Sequence, residues 1–211
     1  MKSLIALVVA FSMVYMTSAS LKCNLDHPEM PTEWQDMFKS CIEKMREQIQ
    51  MEVKASMEYM AMAAYFSRDT VNRPGFAKHF FESSSEEREH ANKLIEYLLV
   101  RGGLDSFKET NNVTDLIKVP LPKTLEWKSG VDALEDALRL EAEVTKSIRG
   151  VIKECEGDKN DYHLVDYLTG EFLEEQYHGQ RELAGKVSTL RKMMKTHGVV
   201  GEFLYDKKLL E

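Results

Sequence analysis

Residues 76–97 read FAKHFFESSSEEREHANKLIEY, and the pattern inside this stretch decides the fold. Phe76, Phe80, Ser83, Glu87, His90, Leu94 and Tyr97 recur at spacings of three and four, the period of one face of an α-helix. Both ends of that face are apolar, so it faces a core. Its middle holds a carboxylate and an imidazole, Glu87 and His90, one turn apart. Burying an ionised carboxylate without a partner costs on the order of several kcal/mol. Whatever lies opposite must therefore meet that charge.

Three other long stretches carry the same kind of stripe. One reads Met45, Ile49, Glu52, Ser56, Tyr59, Ala63, Phe66. Another reads Val131, Leu134, Leu138, Glu141, Thr145, Ile148, Ile152, Cys155. The last reads Val165, Leu168, Phe172, Gln176, Gly179, Leu183, Val187, Leu190. Each has a polar break near its middle: Glu52, Glu141 and Gln176. Breaks at Asn72-Arg73-Pro74-Gly75, Arg101-Gly102-Gly103 and Gly157-Asp158-Lys159-Asn160 separate the stretches. We expect helices over 34–67, 75–101, 125–156 and 161–195, and a short fifth over 200–209.

This is an all-α pattern, and the connections give its topology. A helix of about 27 residues is about 40 Å long. The short first and third turns make helices one and two antiparallel, and likewise three and four. A linker of roughly 20 residues with Asn111, Asn112, Pro120 and Pro122 separates the pairs, long enough to cross the whole bundle. The expectation is a four-helix bundle with a long crossover between helices two and three.

In such a bundle the middles of the helices share a layer, so Glu52, Glu87, His90, Glu141 and Gln176 converge. Taken singly, a stripe glutamate at the edge of its face that reaches water explains each one as well. Four coincident breaks favour a shared site. Three buried carboxylates repel and protonate unless a multivalent cation sits among them. Oxygen ligands with one imidazole and no thiolate suit iron or manganese more than a structural zinc. Glu175 and His178 form a second Glu-x-x-His pair, but the register puts them on the flank and Gln176 in the stripe.

The 211 residues suffice for one full core. With 35 acidic against 28 basic residues the net charge is −7, which argues against a nucleic-acid partner. Lys2, the apolar run Leu4–Met16 and Thr17-Ser18-Ala19 form a signal-peptide pattern over 1–20, leaving 21–211 as one domain. The run is short for a membrane span, and no later stretch suits one. Entry to the secretory route permits disulfides. Cys23, Cys41 and Cys155 are an odd set, which leaves one thiol for another chain. Asn112-Val113-Thr114 is a glycosylation acceptor sequence in the linker.

Gln50-Met51-Glu52-Val53-Lys54-Ala55-Ser56, Glu86-Glu87-Arg88-Glu89-His90-Ala91, Asn160-Asp161-Tyr162-His163-Leu164 and the tail Gly201–Leu210 resemble the landmarks of the ferritins. With the leader and the early cysteine, the chain looks like the secreted heavy-chain type of insects. That resemblance implies a ferroxidase, oxidising Fe(II) with O2 at a two-iron site. The product would be stored as ferric mineral inside a 24-subunit shell shared with a light-type partner. It implies Glu52, Glu87 and His90 as ligands of one iron, Glu87 as a bridge, and Glu141 as the main ligand of the second. Tyr59 would hydrogen-bond near the site, and Gln176 would order its water or iron.

Glu86 and Glu89 resemble carboxylates that nucleate mineral, or else form a solvated acidic face; the cluster's third position is Asn92. Asp166 resembles an entry-channel acid, with Thr169 where a second acid is usual. Helix one begins where helix three finishes, so Cys41 and Cys155 are neighbours, joined or as buried thiols; Cys23 would link to another subunit. A diiron oxidase acting on an organic substrate, or a catalytically silent ferritin subunit, are the competing readings.

Overall fold

The computed structural model describes Pro31, residues 33–101 and residues 121–211. The expected leader over 1–20, Cys23 and the Asn112 triplet lie outside the described residues. The chain divides into a leading unit, Met1–Thr32, and the unit Glu33–Glu211, which holds every described helix.

Among the described residues five α-helices follow one another, with a 3-10 turn over Gly157–Lys159. Helix α1 is Lys39–Ser67, α2 is Pro74–Val100 and α3 is Gly130–Cys155. Helix α4 is built of three consecutive segments, Tyr162–Tyr167, a π-helical Leu168–Leu173 and Glu174–His197. Helix α5 is Val199–Lys208. None of these helices is long and apolar enough to cross a membrane.

Pairings between helices give the directions. Ser56 meets Ser84 and Phe66 stacks on Phe76, so α1 and α2 are antiparallel. Glu141 meets Gln176 and Glu135 meets Arg191, so α3 and α4 are antiparallel. Cys41 is bonded to Cys155 and Tyr59 to Glu141, so α1 and α3 are antiparallel too. Helices α2 and α3 therefore run the same way, and the chain between them has the bundle's length to span. This is the expected four-helix bundle with a long crossover.

The starts of α1 and α3 differ from expectation. Trp34 and Phe38 stay half exposed, and α1 begins only at Lys39, just before Cys41 and Ile42 turn inward. Leu125 is exposed as well, and α3 waits for Ser129, whose hydroxyl accepts from Asp132 N at 3.2 Å as an N-cap.

Stripe registers shift locally. On α2, Ser84 rather than Ser83 is buried; its hydroxyl donates to Ser56 O at 2.9 Å while the Ser56 hydroxyl donates to Ser84 O at 2.7 Å. Leu138 and Ile152 lie at the edge of the α3 stripe. On α4 the buried line is Leu164, Leu168, Phe172, Gln176, with Val165 on the flank and Gly179 exposed. Steps of four overshoot an α-helical turn by about 40° each. The π turn over Leu168–Leu173 is wider and absorbs that drift, so Leu164 and Gln176 share one inward face.

An aromatic cluster fills the bundle beside the polar layer: Tyr59, Phe66, Phe76 and Phe80, with ring centroids 5.1–6.4 Å apart. Truncating one such phenylalanine to alanine costs about 3–5 kcal/mol. Helix α5 closes this end. Asp206 Oδ1 accepts from Gly75 N at 2.8 Å and Phe76 N at 3.1 Å, capping α2 from a distance. A Cβ on Gly75 would lie 1.8 Å from Asp206 O, so glycine is required for this approach. Gly198, at φ 57°, makes the turn between α4 and α5.

Candidate metal centre

The four long helices each send polar side chains into one buried layer: Glu52 and Tyr59 from α1, Glu87 and His90 from α2, Glu141 from α3, Gln176 from α4. Glu52, Glu87 and His90 each offer a ligand atom within 4.8 Å of the others'. Glu52 Oε1 accepts from Gln48 Nε2 at 2.7 Å, inside the core. His90 Nε2 lies 3.2 Å from Glu175 Oε2. A carboxylate can only accept, so in the neutral ring Nε2 carries the proton and Nδ1 presents its lone pair inward. His90 Nδ1 is 3.5 Å from Glu87 Oε2.

Glu52 Oε2, Glu87 Oε2 and His90 Nδ1 are all buried without a hydrogen-bond partner. Buried polar atoms are nearly always paired, and these three, which no donor from outside the group reaches, face one another. A cation among them supplies what hydrogen bonds do not. Two carboxylates and an imidazole fit iron by ligand type.

Glu141 is placed differently. One of its oxygens accepts from the Tyr59 hydroxyl, the other from Gln176 Nε2 at 2.9 Å. It faces the same layer but stands outside the three-ligand set. The Gln176 oxygen is engaged too, accepting from Thr145 Oγ1 at 2.7 Å.

Electrostatics follow from this crowding. Burial, then the neighbouring Glu87, pushes the Glu52 carboxyl well above its ordinary range. Burial and the Glu141 charge push Glu87 up to about 8. Burial and Glu141 raise the Tyr59 phenol well above its usual value, so it stays a donor. A cavity of about 300 Å³ opens from the layer, with Glu82, Glu86, Glu175 and Glu182 at its rim. Burial and then Glu175 raise Glu86.

A family model described as a ferritin-like domain matches residues 42–193, which hold every residue of this layer. The chain belongs to the ferritin family. It is 56% identical to the ferritin heavy chain of Trichoplusia ni, across all of this chain and 98% of that one. It is 57% identical to the ferritin heavy chain of Drosophila melanogaster, across 99% of this chain and all of the other. Among solved structures, the crystal structure of Trichoplusia ni secreted ferritin matches with a TM-score of 0.82 and 60% identity. That match covers 90% of this chain and 97% of the other.

Other residues that the ferritin resemblance singled out fall in different places. Glu86 lines the cavity, whereas Glu89 is exposed outside it, 3.8 Å from Lys93. Asp166 is exposed in a shallow depression with Tyr162, His163, Val165 and Thr169. His178 is exposed and faces Glu174 at 3.0 Å. Cys41 and Cys155 form a disulfide with Cα atoms 5.5 Å apart.

Four polar residues around this ferritin site escaped the sequence reading. Gln48 gave one signal, lying four residues before Glu52 on the same helix face. Glu175 was placed on the flank, yet its long side chain leans back to His90. The helical period makes Thr145 a stripe member and says nothing of its hydroxyl. Gln180 gave no signal, since only coordinates show its amide reaching Thr145 Oγ1 at 2.6 Å.

Proposed function

We propose that this chain is a secreted heavy-type ferritin subunit that oxidises Fe(II) with O2 and stores the product as ferric mineral in a 24-subunit shell. The observation that carries this reading is the trio of buried, unpartnered ligand atoms on Glu52, Glu87 and His90, with the Glu141 carboxylate across the same layer. One Fe(II) would take Glu52, Glu87 and His90. A second would lie between Glu87 and Glu141, with Glu87 bridging. Two Fe(II) ions, each giving one electron, and two protons convert O2 to H2O2; the redox chemistry is iron's own.

The protein's share is to hold, orient and release. Glu175 keeps the proton on His90 Nε2 and so leaves Nδ1 free to bind. Tyr59 and Gln176 hold Glu141 where the second ion arrives. Glu86 and the other carboxylates of the cavity rim give the ferric product a polar way out, and Glu86 with Glu89 would nucleate mineral. Asp166 would line an entry channel formed with neighbouring subunits.

The Cys41–Cys155 disulfide supports an oxidising compartment, as does the apolar leader pattern. Cys23 would link to a light-type partner subunit. The competing readings are a catalytically silent subunit and a diiron oxidase of an organic substrate. The unpaired ligand atoms disfavour the first. The second needs a carboxylate where Gln176 stands. The test is the rate of Fe(II) oxidation by the assembled protein against a Glu87→Ala/His90→Ala variant. A fast native rate that collapses in the variant supports the ferroxidase; equal slow rates leave the silent subunit.

A further inference from the structure

A directional chain of hydrogen bonds ends on Glu141. Gln180 Nε2 reaches Thr145 Oγ1 at 2.6 Å, and also the Gln176 backbone oxygen at 3.2 Å. An amide nitrogen can only donate, so Thr145 Oγ1 accepts there and spends its single proton on Gln176 Oε1, 2.7 Å away. Gln176 Nε2 then faces Glu141 Oε2 at 2.9 Å. Turning the Gln176 amide over would set its oxygen against the carboxylate and take from the Thr145 hydroxyl proton its acceptor. The Glu141 carboxylate calls for a donor there, and Thr145 and Gln180, which touch no ligand atom of the three-ligand set, lock that polarity from the other side of the amide.

The consequence is an asymmetry within one buried layer. Glu52 Oε2, Glu87 Oε2 and His90 Nδ1 wait unpartnered, whereas both oxygens of Glu141 already have donors, the Tyr59 hydroxyl and the Gln176 amide. An ion entering the first group displaces no donor from outside it. An ion drawing on Glu141 must break at least one hydrogen bond.

We propose that Thr145 and Gln180 are positioning residues that latch Glu141 through Gln176, fixing that amide as a donor and withholding its oxygen from metal. The inference rests on the two-ion reading above. The latch weakens the second ion's binding relative to the first. It keeps the Glu141 half-site closed until an ion is present to compete for the carboxylate.

The test uses Zn(II), which carries no redox chemistry, titrated calorimetrically into the assembled, iron-free protein. Wild type is expected to bind in two classes per subunit, the second weaker. Thr145→Val keeps the side-chain shape and removes the hydroxyl. Losing one buried hydrogen bond is expected to tighten the second class about five- to tenfold and leave the first unchanged. Thr145→Ser keeps the hydroxyl and should restore the wild-type pattern, which a general packing defect would not do. Gln180→Leu should move the second class in the same direction by less. Equal second-class affinities in wild type and Thr145→Val overturn the latch while leaving the two-ion site standing. A wild type that binds no ion at Glu52, Glu87 and His90 overturns both.

Discussion

Gln48 Nε2 donates to Glu52 Oε1 at 2.7 Å, and both side chains are fully buried one turn apart on α1. The bond occupies one carboxylate oxygen and leaves Oε2 directed at Glu87 and His90. It also favours the ionised form of Glu52, against the burial that raises its pKa. We expect Gln48→Leu to weaken metal binding at the three-ligand set by about 10–100-fold, the range for losing a partner of a metal ligand. Zn(II) titration of the iron-free protein measures it, and an unchanged affinity would remove Gln48 from the account.

The contact between Glu175 and His90 makes a parallel prediction. At 3.2 Å, the Glu175 carboxylate selects the imidazole tautomer with its lone pair on Nδ1. Glu175→Leu keeps much of the bulk and removes the acceptor. First-ion affinity should fall about tenfold with little change in fold stability, because Glu175 is exposed. The measurements are metal titration and thermal unfolding side by side; a loss of stability without a loss of affinity would contradict it.

Much of this was legible beforehand because the four helices are long and strongly periodic. A carboxylate in mid-stripe stands out against phenylalanine and leucine on either side, so Glu52, Glu87, His90 and Glu141 could be found without coordinates. The π turn at Leu168–Leu173 could not. Its residues obey the spacing of an ordinary helix closely enough, and only the burial of Leu164 in place of Val165 shows the change in register. Gln180 and Glu175 were illegible for another reason. Periodicity gives the direction of a Cα–Cβ bond and says nothing of how far a long side chain reaches back. The starts of α1 and α3 fall later than expected because Trp34, Phe38 and Leu125 look like core residues in the pattern, whereas half or more of each side chain is exposed.

Protons should compete with metal at this site. Burial and the Glu141 charge push the Glu87 carboxyl from the ordinary 4.5 up to about 8, and burial raises Glu52 in the same sense. In the empty protein these groups hold protons that the unfolded chain releases. Their contribution to stability is complete below about pH 4.5 and is lost as the pH rises through about 8. The iron-free protein should therefore lose thermal stability between about pH 4.5 and 8. Metal binding over the same range should strengthen with pH and release protons. Calorimetry in two buffers of different ionisation enthalpy counts those protons, and a count of zero would refute the assignment.

The Cys41–Cys155 bond joins residues 114 apart in sequence, the start of α1 to the end of α3. In the loop-entropy model, a loop of that size contributes about 4–5 kcal/mol by restricting the unfolded chain. Cys41→Ser/Cys155→Ser should lower the unfolding free energy by an amount of that order while leaving the metal centre, some three turns away on α1, intact. Denaturant unfolding of the iron-free protein measures the first, and Zn(II) binding the second.

The most direct measurement is anomalous diffraction at the iron edge from crystals soaked anaerobically in Fe(II). We expect one iron bound by Glu52, Glu87 and His90 Nδ1, and a second beside Glu141 with its bonds from Tyr59 or Gln176 released. Iron found only at Glu86, Glu89 or the outer surface, with the three inner ligands still unoccupied, would contradict the account.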